Sequence, residues 1–220
     1  MWRRVPGGAR RSTPAGSLPS TGAAGAWHFG GVSRSTLILL RHGRPALSRN
    51  VRLRWQDYEA WWRDYDASGL RAGHGVPPKV EAMVERADMV VSSPLPRALE
   101  SARLAAGREP DHVLADFVEA PLPPPRVPGL KVRPISWGTV SRVAWMAGYC
   151  RDCESAGEAR ARAGRVAEEL AELARGKTVL AFGHGWFNRM VGWRLRRAGW
   201  RVVSGRGDGY WSHRIYERDE

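Results

Sequence analysis

Three short apolar segments, each followed within a few residues by glycine or serine and by basic residues, most constrain the fold of this chain. The segments are Leu37–Leu40, Met89–Val91 and Val179–Phe182. A short continuous apolar run with such boundaries is typical of a strand that is buried on both faces. Because stretches with a helical pattern separate the three segments, the sequence predicts an α/β fold with a mostly parallel sheet.

Basic side chains follow all three predicted strands. Arg41 and His42 follow the first and His184 follows the third, while Arg97 lies in the first turn of the helix predicted after the second. Ligands of open α/β sheets bind outside the carboxyl ends of the strands, and helix N-termini attract anions. Gly43 would let the backbone approach such a ligand closely. The pattern therefore predicts an anion site at this edge of the sheet.

The motifs at these strand ends resemble those of a known family. They are Leu40-Arg41-His42-Gly43, Ser92-Ser93-Pro94-Leu95-Pro96-Arg97-Ala98 and Gly183-His184-Gly185. In this order they resemble the histidine phosphatase superfamily, the phosphoglycerate-mutase-like enzymes, from about Thr36 to the C-terminus. The resemblance implies a single three-layer α/β/α domain with a mostly parallel central sheet. It also implies a phosphorylated nucleophile at His42, a phosphate pocket of Arg41, Arg97 and His184, and neither metal nor cofactor.

The chemistry of these residue types agrees with the resemblance. A phosphoryl group in transfer carries negative charge on three equatorial oxygens, which paired guanidinium donors can hold. A neutral histidine nitrogen can attack phosphorus and form a covalent intermediate that water then hydrolyses. We therefore predict a metal-independent phosphatase that acts on a small phosphomonoester through phosphorylated His42.

A carboxyl group should protonate the leaving oxygen. The resemblance places this acid between the second arginine and the second histidine, where Glu119 is our first choice and Asp116 the alternative. Arg44-Pro45 stands where many relatives carry an acidic and a hydroxyl residue, so Ser48 or Asn50 is expected to supply the missing phosphate contact. Arg49 is a weaker candidate for the same role.

Two other motifs are interpreted as structural. His74 lies in a second Gly-His-Gly sequence, but no apolar strand precedes it, so a loop position is expected. Cys150 and Cys153 form a Cys-x-x-Cys motif without a second cysteine pair or a histidine at metal-ligand spacing. We therefore expect two reduced thiols and no metal site.

The distribution of charge argues against a nucleic-acid partner. The net charge is +13, yet residues 1–56 hold ten arginines and no acidic residue, whereas residues 57–220 hold 25 basic and 22 acidic residues. Residues 1–34 are rich in Gly, Ser, Pro and Arg and are predicted to be a disordered tail, either a targeting segment or an over-extended start. The domain is then expected over residues 35–220. No stretch is apolar enough to span a membrane, and a cytoplasmic location is expected.

The predicted strands centre on Leu37–Leu40, Met89–Ser92, Val113–Ala115 and Thr178–Phe182, with a late edge strand over Tyr210–Tyr216. The spacing of Tyr58, Trp61, Trp62 and Tyr65 predicts a helix that packs on the core. Two alternatives to a phosphatase remain open at this point: a non-catalytic module of the same fold that binds a phosphorylated ligand or a protein, and a phosphomutase. The sequence decides neither the substrate nor the oligomeric state.

Overall fold

The computed structural model describes residues 34–150, 152–205 and 207–220. The elements in chain order are β1 (Arg34–Arg41), α1 (Trp55–Ala67), α2 (Pro78–Glu85), β2 (Met89–Ser92), α3 (Pro96–Ala106), β3 (His112–Val113), a 3₁₀ turn (Ala115–Phe117), α4 (Pro134–Met146), α5 (Ala156–Leu173), β4 (Thr178–Gly183), α6 (Gly185–Arg197), β5 (Arg201–Ser204) and β6 (His213–Asp219). The strands form one sheet in the order β3-β2-β4-β1-β6-β5. Strands β3, β2, β4 and β1 run parallel, and β6 is antiparallel to both of its neighbours. The expected α/β architecture with a mostly parallel sheet is confirmed.

Helices cover both faces of the sheet because the central strands are apolar on both. In β1, Leu37 and Leu39 pack in a cluster with side chains of α5 and α6. Ile38 and Leu40 point to the opposite face and pack in a second cluster with α2 and α3. Since successive strand residues alternate between faces, this continuous apolar run produces the three layers.

The register aligns the carboxyl ends of three neighbouring strands. Arg41 of β1 pairs with Gly183 of β4, and Ser92 of β2 pairs with Phe182 of β4. The backbone N–H of His42 donates to the Gly183 carbonyl at 3.0 Å, so the ladder continues just past β1. The residues that directly follow β1, β2 and β4 therefore meet at one edge of the sheet.

Aromatic residues of α1 form a third core cluster. Tyr58, Trp61 and Tyr65 pack against Trp137 of α4, as their helical spacing predicted. Further along the chain, α5 begins with a capping box, in which the Ser155 hydroxyl accepts from the Glu158 N–H and the Glu158 carboxylate accepts from the Ser155 N–H.

The structure corrects three expected boundaries. Strand β3 covers only His112–Val113, because the chain turns into a 3₁₀ helix at Ala115. The expected late edge strand starts only at His213, because Trp211 has a left-handed backbone (φ 62°) that interrupts an extended chain. This strand is also not at an edge of the sheet, since it lies between β1 and β5. The edge on this side of the sheet is β5, which the sequence did not indicate because all its residues are exposed.

The third correction concerns the start of the fold. Arg34 opens β1 opposite Asp219, so the expected tail ends no later than residue 33. The rest of that expected tail lies outside the residues that the structure describes. Within the described part of the chain, every helix is too short or too polar to cross a bilayer.

Candidate active site

The aligned strand ends bring most of the predicted phosphate-binding side chains together. His42 follows β1 and His184 follows β4, and their ring centroids lie 5.3 Å apart. Ser93, which follows β2, places its Oγ 2.7 Å from His184 Nε2. Arg97, in the first turn of α3, donates from Nε to His42 Nε2 at 3.2 Å. His42, Arg97 and His184 are all buried.

The two ring nitrogens of His42 have different environments. Nδ1 lies 2.7 Å from the Gly43 carbonyl oxygen, and because a carbonyl can only accept, Nδ1 carries the proton. Nε2 then holds a lone pair directed to Arg97. Burial lowers the pKa of His42 well below its ordinary value of 6.5, and the positive charges of Arg97 and Arg41 lower it further. His42 is therefore neutral at neutral pH, with Nε2 as its nucleophilic atom.

A carboxylate and a backbone carbonyl hold Arg97 in place. The guanidinium forms an ion pair with the Asp66 carboxylate at 2.9 Å and donates to the Tyr65 carbonyl at 3.1 Å. It also lies 4.8 Å from the centroid of the Tyr65 ring. Burial raises the pKa of Asp66, while Arg97 acts in the opposite direction. Asp66 thus fixes the orientation of Arg97 beside His42.

His184 is neutral in the unliganded site. Burial lowers its pKa well below the ordinary histidine value, and Arg97, His42 and Arg41 add to the effect. Its Nδ1 is buried and has no hydrogen-bond partner among the residues that the structure describes. A phosphate dianion beside these cations would oppose the electrostatic part of this lowering and would favour a proton on His184.

Arg41 and Arg49 reach the same site from β1 and from the loop after it. The Arg41 guanidinium lies 5.0 Å from the centroid of the Tyr210 ring and donates to the Asp208 carbonyl. Arg49 lies 4.7 Å from the centroid of the Tyr65 ring. Both arginines line a cavity of about 470 Å³. Arg49, the weaker candidate from sequence, therefore has the position expected of a phosphate contact.

The two candidate acids lie in different places. Glu119 lines the cavity together with Arg41. Its carboxylate accepts from the backbone N–H groups of Phe187 (2.9 Å) and Trp186 (3.3 Å), in the first turn of α6. Asp116 instead forms an ion pair with Arg165 on the exposed side of α5, at 2.8 Å. The structure places Glu119 at the site and Asp116 outside it.

Three further predicted contacts are not at the cavity. The Gly43 N–H donates to the buried Ser101 hydroxyl at 2.8 Å, and a side chain on Gly43 would come within 2.6 Å of Trp211. Gly43 is therefore required by close packing, and its N–H already has a partner. Ser48 and Asn50 are exposed and bond to each other, the Asn50 N–H donating to Ser48 Oγ at 3.1 Å. Neither lines the cavity.

Sequence reasoning missed three residues of the site. Ser93 lies three residues before α3 begins at Pro96, and its hydroxyl contacts His184. Its position directly after β2 was the available signal. Asp66, in α1, and Tyr210, in the loop before β6, come from segments far along the chain, and neither has a local motif. Only the tertiary fold brings them to His42 and Arg97.

The motifs expected to be structural lie away from the site. His74 is in the turn before α2 and does not line the cavity. The Sγ atoms of Cys150 and Cys153 lie 3.4 Å apart beyond α4. Among the described residues, no three His, Cys, Asp or Glu side chains are grouped so as to hold a metal ion.

Comparison with known proteins identifies the family of this chain. Phosphoserine phosphatase from Entamoeba histolytica superposes with a TM-score of 0.51 at 16% identity, covering 82% of this chain and 89% of that one. A mycobacterial glucosyl-3-phosphoglycerate phosphatase superposes with a TM-score of 0.52 at 18% identity, covering 84% and 90%. No curated protein matches the sequence significantly. The model of the histidine phosphatase superfamily (branch 1) matches residues 37–202, and the chain therefore belongs to this superfamily.

Proposed function

We propose that the protein is a metal-independent phosphatase that hydrolyses a phosphomonoester through a phosphohistidine on His42. The observation that carries this proposal is the state of the His42 ring. It is neutral, its Nδ1 proton is held by the Gly43 carbonyl, and its Nε2 lone pair lies beside a fixed guanidinium. A site that only binds phosphate needs cations and has no use for a neutral nucleophile held in one tautomer.

The proposed phosphate ligands are Arg41, Arg97 and His184. Arg49 is a fourth proposed ligand, because it lines the same cavity as Arg41. The guanidinium groups of Arg41 and Arg97 flank His42 and would hold the phosphoryl oxygens by charge-assisted hydrogen bonds. The charge they compensate grows little in the transition state, so most of their contribution is to position the group for attack. His184, taking up a proton as phosphate binds, would donate to a third oxygen.

The proposed reaction has two displacements. The Nε2 lone pair of His42 attacks phosphorus, the bond from phosphorus to the leaving oxygen breaks, and Glu119 gives its proton to that oxygen. Water then attacks the phosphohistidine and Glu119 takes up its proton. The P–N bond breaks, and inorganic phosphate and neutral His42 are released. The same carboxyl group therefore serves as acid and then as base.

Turnover of p-nitrophenyl phosphate in the presence of a chelator tests the proposal. The wild-type chain should be active, and His42→Ala should lose at least about a thousandfold of that activity, because it removes the proposed acceptor of the phosphoryl group. His74→Ala is the matched control, since His74 stands in the same Gly-His-Gly context outside the cavity and should retain full activity. Unchanged turnover in His42→Ala, or activity that needs a divalent ion, would refute the proposed mechanism.

A further inference from the structure

The cavity that Arg41 and Arg49 line continues from these two proposed phosphate ligands along a wall of apolar side chains. Its phosphate end includes Arg41, Glu119 and the backbone of Gly185. Beyond that end, the lining side chains are mainly aromatic and aliphatic: Trp61, Trp62, Leu122, Ile135, Val143 and Met146. A volume of about 470 Å³ lies within the range that holds molecules much larger than a phosphate. The leaving group of a bound phosphomonoester would therefore face this wall.

One face of α4 supplies much of the wall. Ile135, Thr139, Val143 and Met146 follow one another at helical spacing and all line the cavity. Ile135 is 63% exposed, Val143 64% and Met146 48%. The opposite face of α4 packs into the core through Trp137 and Trp145, so the fold does not need these exposed apolar side chains. A contiguous exposed apolar surface beside a reaction site is characteristic of a surface that a ligand covers.

The polar side chains along this wall already have partners within the protein. Arg142 donates to the carbonyls of Pro121 and Ala120, at 3.1 and 3.2 Å. Arg189 is paired with the Asp208 carboxylate, and the Thr139 hydroxyl donates to the Ile135 carbonyl at 3.2 Å. A leaving group rich in hydroxyls would compete with these bonds and would lose its own hydration.

We infer that the substrate is a phosphomonoester of a hydrophobic alcohol, whose alkyl chain or aryl ring lies against the exposed face of α4. The inference rests on the proposed function, since it assigns the leaving group of the same site. Each methylene moved from water into this cavity should tighten binding by about two- to fourfold.

A series of n-alkyl phosphates from methyl to octyl, measured below their micelle concentrations, tests the inference. The value of kcat/KM should rise with chain length, by about 100-fold or more over the series, and glycerol phosphate should be a much poorer substrate than butyl phosphate. A series in which kcat/KM is flat, or in which glycerol phosphate is preferred, would overturn the inference and leave the proposed function intact.

Variants of α4 test whether the preference for long alkyl chains depends on this wall. Val143→Ser and Ile135→Ser should each reduce the octyl-to-methyl ratio about three- to tenfold. Val140→Ser is the matched control, because Val140 is 37% exposed on the same helix and does not line the cavity. It should leave the ratio unchanged. An equal change of the ratio in all three variants would point to a general effect on α4 and count against the inference.

A binding measurement distinguishes failure of this inference from failure of the proposed function. Calorimetric titration of the His42→Ala chain with methylphosphonate and octylphosphonate needs no turnover, and octylphosphonate should bind at least about 100-fold more tightly. If no phosphomonoester is hydrolysed and this preference is still found, only the proposed function fails. If the two phosphonates bind equally, the inference is wrong. It is also wrong if sedimentation shows a dimer that Val143→Ser dissociates, because a second chain then covers the α4 face.

Discussion

At the residue scale, the site depends on the contrast between a neutral nucleophile and the cations around it. An imidazole this close to Arg97 and Arg41 would lose its lone pair if it took up a proton, and the same two cations prevent that. Their charge, added to burial, keeps Nε2 available over a wide range of pH. In the proposed mechanism, the two arginines therefore keep His42 neutral as well as hold the phosphoryl group.

The protonation of His42 can be measured directly. Because burial and the neighbouring arginines lower its pKa in the folded chain, the ring should stay neutral as the pH falls through 6.5. In histidine-labelled protein, the ¹⁵N shifts of His42 should be those of the Nδ1-protonated tautomer at pH 6.0 in the absence of phosphate. A titration of His42 with its midpoint near 6.5 would contradict this account.

The role of Glu119 depends on the leaving group. Glu119→Gln should slow hydrolysis of alkyl phosphates by about 100-fold, because an alkoxide leaving group needs a proton. Aryl phosphates, which leave more readily, should be affected much less. Asp116→Asn is the control, since Asp116 is paired with Arg165 outside the cavity and its loss should affect both substrate types little. Equal losses on both substrate types in Glu119→Gln would remove Glu119 from the role of acid.

At the scale of elements, the end of α5 nearest the site holds the segment that carries Glu119. Arg162 donates to the Glu154 carboxylate at 2.7 Å and to the backbone carbonyls of Asp116 and Val118 at 2.6 and 3.0 Å. Its side chain is 9% exposed. One buried guanidinium thus ties the start of α5 to the residue directly before Glu119. Arg162 therefore anchors the start of the loop that carries Glu119, a loop with little helix or strand of its own.

Two neighbouring arginines of α5 provide a matched comparison. Arg162→Gln should reduce the free energy of unfolding by about 1–3 kcal/mol, since it leaves the partly buried Glu154 and two carbonyls without a partner. It should also lower alkyl phosphate turnover more than aryl turnover, through Glu119. Arg165→Gln removes an ion pair that is mostly exposed and should cost less than about 1 kcal/mol. Denaturant unfolding and the alkyl-to-aryl ratio measure both effects, and similar results for the two variants would exclude a positioning role for Arg162.

The parts of the fold that the sequence predicted are those with a recognisable pattern of neighbouring residues. The strands β1, β2 and β4 could be located because each is a buried apolar run, and their ends showed where His42 and His184 would meet. Strand β5 could not, because a strand exposed on both faces has no hydrophobic pattern. Asp66 and Tyr210 could not be assigned for a different reason: their importance comes from tertiary contacts with Arg97 and Arg41 that no spacing in the sequence encodes.

At the scale of the whole molecule, the excess of positive charge divides into two parts. Ten arginines and no acidic residue lie in residues 1–56, and the rest of the chain is nearly balanced. Of these ten, Arg41 and Arg49 line the cavity, and Arg34 pairs with Glu217 and Asp219 across the sheet. Three of the six arginines in residues 34–56 therefore have specific structural positions.

Removal of the N-terminal residues tests the predicted domain boundary. A chain that begins at Ser35 should fold and keep its turnover, because residues 1–34 contribute no motif residue. The loss of Arg34 removes an ion pair on an exposed part of β1, which should cost less than about 1 kcal/mol. Thermal unfolding and aryl phosphate turnover compare the two chains. An insoluble or inactive shorter chain would show that the fold needs the N-terminal segment.

The central claim is that the phosphoryl group passes through His42, and trapping of that intermediate tests it most directly. The chain, with chelator present, is mixed with a fast aryl phosphate and quenched in alkali within milliseconds, and peptide mass spectrometry then locates the phosphoryl group. We predict one acid-labile, alkali-stable phosphoryl group on His42, formed and lost at rates compatible with turnover and absent from His42→Ala. Turnover without a phosphorylated His42, or a phosphoryl group trapped on another residue, would contradict the account.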